Sequence, residues 1–136
     1  MLKATARGTR IAHIGIAVDA LDRILPLYRD LLDLPQEPLD DADGARIAGL
    51  RAGDALVELL EAKRPDSPIG KFVASRGPGI HHICFAVDDL TATLERCRRA
   101  GIKLIDDVPR RGADGKPIAF LHPSSTAGVL IELTQH

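Results

Sequence analysis

The chain has 136 residues, of which 45% are hydrophobic and 27% charged, and its formal net charge is -1 at pH 7. This length suits one compact unit or two very small modules that share a core, and the near-neutral charge excludes the strongly basic character of a nucleic-acid or anionic-membrane binder. Its two cysteines, Cys84 and Cys97, give neither a disulfide framework nor a paired metal motif, which fits a cytoplasmic protein.

Residues 1–9 contain Lys3 and Arg7 and no apolar run long enough for a signal peptide or a membrane span, so they are read as a loose tail. Ile11 to Val18, rich in β-branched and small residues, predicts a strand that stops at Asp19. Leu21, Ile24, Leu25, Tyr28, Leu31 and Leu32 then form a helical stripe. With Asp22 as the cap, Pro26 falls in the opening turn and removes at most one hydrogen bond. Leu34-Pro35 closes the segment, and Pro38 to Gly44 is acidic and turn-like.

Two strands follow, Ala45 to Arg51 and Ala55 to Glu61, joined at a tight Gly53-Asp54 hairpin. Residues 63–78 form a connector holding a short helix with Ile69, Phe72 and Val73 on one side. The first pattern then returns. Ile80 to Val87 predicts a strand, and Leu90, Leu94 and Cys97 mark a helix that ends at Gly101. Lys103 to Ile105, Ile118 to His122 and Val129 to Thr134 predict three more strands.

The return is a repeat in sequence as well as in pattern. His13-Ile14-Gly15-Ile16-Ala17-Val18-Asp19 lies over His82-Ile83-Cys84-Phe85-Ala86-Val87-Asp88, and Val57-Glu58-Leu59 lies over Ile131-Glu132-Leu133. The order predicts an α+β fold in which two βαβββ modules, about 10–62 and 79–135, pair into a curved mixed sheet with a cleft, in a single domain over 10–136.

The repeat also singles out four polar residues. A lone histidine on an apolar strand is ordinarily a satisfied core residue, and a glutamate between aliphatic neighbours ordinarily faces solvent. Here both types recur at matching positions. A buried carboxylate costs several kcal/mol unless it is paired or bound to metal. His13, Glu58, His82 and Glu132 are therefore read as ligands of one divalent ion. Two imidazoles and two carboxylates suit a borderline cation, neutralise its charge and leave two octahedral positions for a chelating substrate.

Strand alternation puts Gly15 and Ala17 on the face of His13, and Cys84 and Ala86 on the face of His82. These small residues predict either open space above the ion or close packing of another layer. By the same alternation His81 points to the other face. His122 has no counterpart in the first half and is read as a strand-end residue in preference to a group supporting the metal ligands.

With these residues in place, the chain resembles the vicinal oxygen chelate superfamily and, within it, the methylmalonyl-CoA epimerase family. The resemblance runs from Ile11 to Gln135 and is most specific at Gly79 to Asp89 and at Gly115 to Gln135, which includes Phe120-Leu121-His122-Pro123. It implies epimerisation of methylmalonyl-CoA at C2 through a metal-stabilised enolate, and a homodimer. It also implies the same four ligands around cobalt, with nickel, zinc or manganese as substitutes.

Glu132, as ligand and base, and Glu58, its counterpart in the first half, are the expected acid–base pair. Asp41 or Asp43 would have to reach in from a loop. The Arg110-Arg111 cluster reads first as a solvated surface; in the sharper reading Arg110, Arg111 and Lys116 meet CoA phosphates. The family pattern is broken at Pro26, at Ser124 and at Arg46-Ile47-Ala48, where mechanisms of this family place a second carboxylate. Three rival readings share the fold: a glyoxalase I-type isomerase, an extradiol-type oxygenase with two histidines and one carboxylate on iron, and a metal-free binding protein.

Overall fold

The computed structural model describes residues 8–136. Met1 to Arg7 of the expected tail lie outside the described residues. The next residue, Gly8, is tied down: its N–H donates to Asp88 Oδ2 at 3.2 Å and its carbonyl lies 2.7 Å from His136 Nε2.

The first module comprises β1 (Arg10–Val18), α1 (Leu21–Leu25), a π-helical turn (Pro26–Leu31), β2 (Gln36–Glu37), β3 (Ala45–Ala52) and β4 (Ala55–Ala62). Helix α2 (Pro68–Arg76) lies in the connector. The second module comprises β5 (Gly79–Val87), α3 (Leu90–Arg99), β6 (Arg110–Arg111), β7 (Pro117–Leu121), a 3-10 turn (Pro123–Ser125) and β8 (Ile131–Gln135).

All eight strands form one mixed sheet in the order β2-β3-β4-β1-β5-β8-β7-β6. Strand β1 runs parallel to β4, β5 runs parallel to β8, and the modules join where β1 and β5 pair antiparallel. The two segments that look most alike in sequence are thus the two that meet at the centre.

Each module's own helix covers one face of its half-sheet. Leu21, Ile24, Leu25 and Tyr28 pack on Val18, Ala48, Leu50 and Leu59. Leu90 and Leu94 pack on Val87, Ala119, Leu121 and Leu133. Burying a leucine such as Leu50 or Leu59 fully contributes about 1.5–3 kcal/mol. Helix α2 lies on the other face, where Ile69, Phe72 and Val73 cover Ala17, Ala45 and Leu60.

Several local expectations are corrected. Asp22 does not cap α1. Ala20 is the N-cap residue, without a side-chain bond, and the Leu21 N–H donates to Glu61 Oε1 at 2.8 Å. Pro26 is not in the opening turn: it follows the last residue of α1 and opens the wider π turn, where the Leu32 N–H reaches Leu27 O at 2.9 Å. A proline has no N–H with which to continue the α ladder. Helix α3 is conventional, capped by Asp89 and ended by Gly101 at φ 81°.

Lys103 to Ile105 is not a strand. Leu104 makes one isolated bridge to Leu121, and the outer strand of this module is Arg110–Arg111. Its counterpart in the first module is Gln36–Glu37, paired with Gly49 and Leu50. Two residues are too few to carry a period-two signal. Among the described residues, no helix is long and apolar enough to cross a membrane.

Candidate metal centre and cleft

The register of the four central strands assembles the site in two neighbouring rows. Glu58, Gly15 and His82 lie side by side across β4, β1 and β5. His13, Cys84 and Glu132 lie side by side across β1, β5 and β8. Residues two apart on a strand share a face, so both rows project into the same concavity. Glu58, His82 and Glu132 are buried.

Three ligand atoms form a nearly equilateral triangle. His13 Nε2 is 2.9 Å from His82 Nε2 and 3.1 Å from Glu132 Oε1, and His82 Nε2 is 3.0 Å from Glu132 Oε1. Neighbouring ligands of an octahedral ion with bonds of about 2.1 Å stand about 3.0 Å apart. Glu58 Oε2 lies 3.2 Å from the other ring nitrogen of His13, Nδ1.

No placement of ring protons satisfies the triangle. The N–N contact needs one proton between the rings, whereas each N–O contact needs a proton on its own nitrogen. A cation held by all three atoms would resolve the conflict, because each would then offer a lone pair. The donor set therefore fits a divalent metal.

Burial pushes the Glu58 carboxyl up to about 7, with Glu132 and Asp114 adding to the shift and His13 opposing it. Burial acts the same way on Glu132, but hydrogen bonds and charge from His13 and His82 outweigh it and hold that carboxyl at about 2. Burial disfavours charge on His13 as well, yet Glu132, Glu58 and Asp114 raise its pKa above the ordinary value. Two carboxylates in matching places are thus driven apart, Glu58 toward its acid form and Glu132 toward its base form.

The structure reverses the expectation for His81. Strand β5 uses two residues where β1 uses one: Gly15 pairs with His82, and Ile16 pairs with Ile80. His81 is the extra residue of a β-bulge, which releases it from strand alternation. Its Nδ1 lies 2.9 Å from His82 Nδ1, and its ring lines the cleft. Burial and the nearby His82 lower its pKa to about 4. A mirror-image bulge places Ala12 in the same role on β1. Strand periodicity carries no signal for a bulge, which exists only in the pairing of two strands.

At Gly15 and Ala17 the small residues serve close packing, the second of the two expectations. A Cβ on Gly15 would collide with the His82 ring, and α2 packs on Ala17. Smallness there admits an imidazole and a helix instead of leaving open space. Cys84 is fully buried, its Sγ lies within 4.8 Å of ligand atoms of His13 and Glu132, and burial pushes its thiol well above the ordinary range.

Above this floor is a cleft of about 450 Å³ whose walls include Ile47, Leu60 and Phe120. The Phe120 ring stands edge-on to His82, with centroids 5.7 Å apart. Ile47 occupies the wall of β3, and Arg46 is paired with Glu61, so this strand brings no carboxylate to the cleft. Asp41 is bound to Lys63, and Asp43 lines the cleft but is paired with Arg110 at 2.7 Å. Arg110 also pairs with Asp106 and lies over the Phe120 ring, so its charge is already engaged. Lys116, Arg10 and Arg51 also line the cleft, as does the exposed Asp114, which sequence patterning missed. His122 caps the 3-10 turn by accepting the Ser124 N–H at 3.0 Å, the structural role expected of it.

The fold and site define a cleft protein made of paired βαβββ modules, with a floor of His and Glu side chains whose spacing fits a divalent metal where they join. A sequence model of the Glyoxalase/Bleomycin resistance protein/Dioxygenase superfamily matches residues 12–120, and the chain belongs to that superfamily. The chain is 36% identical to the ethylmalonyl-CoA/methylmalonyl-CoA epimerase of Cereibacter sphaeroides, covering 93% of this chain and 97% of that one. It is 38% identical to the uncharacterized protein YqjC of Bacillus subtilis, with 93% and 91% covered. A solved methylmalonyl-CoA epimerase in complex with methylmalonyl-CoA and NH4+ superposes with a TM-score of 0.89 at 38% identity, over 93% of this chain and 94% of that one.

Proposed function

We propose that this protein is a metal-dependent epimerase that inverts methylmalonyl-CoA at C2. The observation that carries this reading is the triangle of His13, His82 and Glu132, with Glu58 beside it, at the floor of a cleft wide enough for an acyl thioester. The similarity to epimerases of malonyl-type CoA thioesters supplies the substrate class.

In this reading His13, Glu58, His82 and Glu132 hold the cation, taken to be cobalt. When bound, it supplies Lewis-acid stabilisation for the negative charge that develops on the thioester oxygen. The C2 proton sits between a thioester and a carboxylate and is acidified by both. Glu132, as ligand and base, accepts that proton. Glu58, its counterpart in the first module, is the group that returns a proton on the opposite face. Exchanging these roles runs the reaction in the other direction. Phe120, Leu60 and Ile47 exclude water from the enolate, and Lys116 and Arg10 are the cleft cations that meet CoA phosphates. The enzyme is further read as a cytoplasmic homodimer, in keeping with its free cysteines, Cys84 and Cys97.

The test is proton NMR of methylmalonyl-CoA in deuterated water with Co2+-loaded protein. Wash-out of the C2 proton, with collapse of the methyl doublet, is the expected result. Exchange no faster than in a protein-free control would overturn the proposal. A side-by-side comparison of kcat/KM against a glutathione hemithioacetal separates it from the glyoxalase I-type reading.

A further inference from the structure

From the geometry around β5 we infer that His81 is a positioning residue: its Nδ1 accepts the Nδ1–H of His82 and so fixes the tautomer and ring plane in which His82 Nε2 faces the metal centre. This inference rests on the metal-centre reading of His82.

An imidazole can present a lone pair at one nitrogen only if its proton sits on the other. The group opposite that other nitrogen decides the tautomer. His82 turns Nε2 toward His13 and Glu132, at 2.9 and 3.0 Å. Its outer nitrogen faces His81 Nδ1 at 2.9 Å. No carboxylate or backbone carbonyl among the described residues bonds His82 Nδ1, so the adjacent imidazole takes the place usually held by such an acceptor. His81 must then carry its own proton on Nε2.

Two features hold His81 in this role. It is the extra residue of the β-bulge between Gly15 and Ile16, which turns it toward the cleft. Phe72 of α2 packs edge-on against it, with ring centroids 5.0 Å apart and planes at 79°. The His81 and His82 rings are themselves nearly perpendicular, at 88°. The connector helix thereby orients a ligand through the histidine next to it. The first module solves the same problem differently: its bulge residue is Ala12, and the outer nitrogen of His13 faces Glu58 Oε2 at 3.2 Å.

The test compares His81→Asn with His81→Leu in the full chain. Asparagine offers an amide oxygen near the position of Nδ1, whereas leucine keeps the apolar bulk and cannot accept a proton. Co2+ affinity by calorimetry, the visible absorption of the Co2+-loaded protein and the thermal midpoint of the metal-free protein would be measured for each. His81→Leu is expected to bind Co2+ about 10–100-fold more weakly, the range for losing a partner of a ligand histidine, with an altered Co2+ spectrum. His81→Asn is expected to bind more tightly than His81→Leu and to keep the parental spectrum. If packing were its sole contribution, His81→Leu would be the better tolerated change. Parental Co2+ affinity and spectrum in His81→Leu would overturn this inference alone. A parent protein that takes up no Co2+ would overturn the metal-centre reading and this inference with it.

Discussion

Gly15 lies directly against the imidazole of His82. A Cβ added to Gly15 would stand 2.5 Å from Nδ1 and 2.7 Å from Nε2, closer than real Cβ contacts occur. The close approach exists because Gly15 and His82 are register partners across the seam between the modules. Gly15→Ala must therefore move either the ring or the strand. The expected cost is about 1–3 kcal/mol of stability, as for other overpacked sites. Displacing His82 from His13 and Glu132 should also weaken Co2+ binding by about 10-fold or more. Thermal unfolding and Co2+ titration of the variant measure the two effects separately.

Glu132→Gln keeps an oxygen for the metal and removes the base. Bound metal should be retained, while deuterium exchange at C2 of methylmalonyl-CoA falls by about 10²-fold or more, the scale of losing a general base. A variant that loads with metal and exchanges at the parental rate would leave Glu132 as a ligand alone.

Removing the metal should abolish activity and leave the fold. The helices pack on the sheet through Leu50, Leu59, Leu90, Leu94 and Leu133, and none of these is a ligand. Dialysis against a chelator is expected to eliminate exchange while circular dichroism changes little. Re-addition of Co2+ should restore exchange.

The metal-free protein should be most stable in mildly acidic solution. Glu58 is raised from 4.5 to about 7 on folding, so its contribution is complete below about 4.5 and is lost as pH rises through 7. His13 is also raised above 6.5 and loses its contribution in the same direction. Glu132 is lowered from 4.5 to about 2, so its contribution is present above 4.5 and disappears as pH falls toward 2. Thermal midpoints of metal-free protein between pH 3 and 9 should rise and then fall. Saturating Co2+ should remove the decline on the alkaline side, because metal binding favours the deprotonated ligands.

The two-module fold, and the four residues that meet at its seam, were legible in the sequence. The reason is the repeat. Burying one face of each β1–α1 and β5–α3 pair requires the same spacing of apolar side chains, and that periodicity survives in a linear reading. His13 and His82 stand out because they interrupt it at equivalent places.

What depends on how one strand meets another was decided only by the tertiary structure. The bulge that turns His81 toward His82 is a mismatch in count between β1 and β5, and neither strand alone contains it. The collision awaiting a side chain at Gly15 comes from a ring on the neighbouring strand. The opposite pKa shifts of Glu58 and Glu132, equivalent in the repeat, arise because Glu132 stands against both histidines while Glu58 meets one. Hydrophobic periodicity is a property of each segment, whereas register, close approach and electrostatic environment belong to pairs of segments brought together by folding.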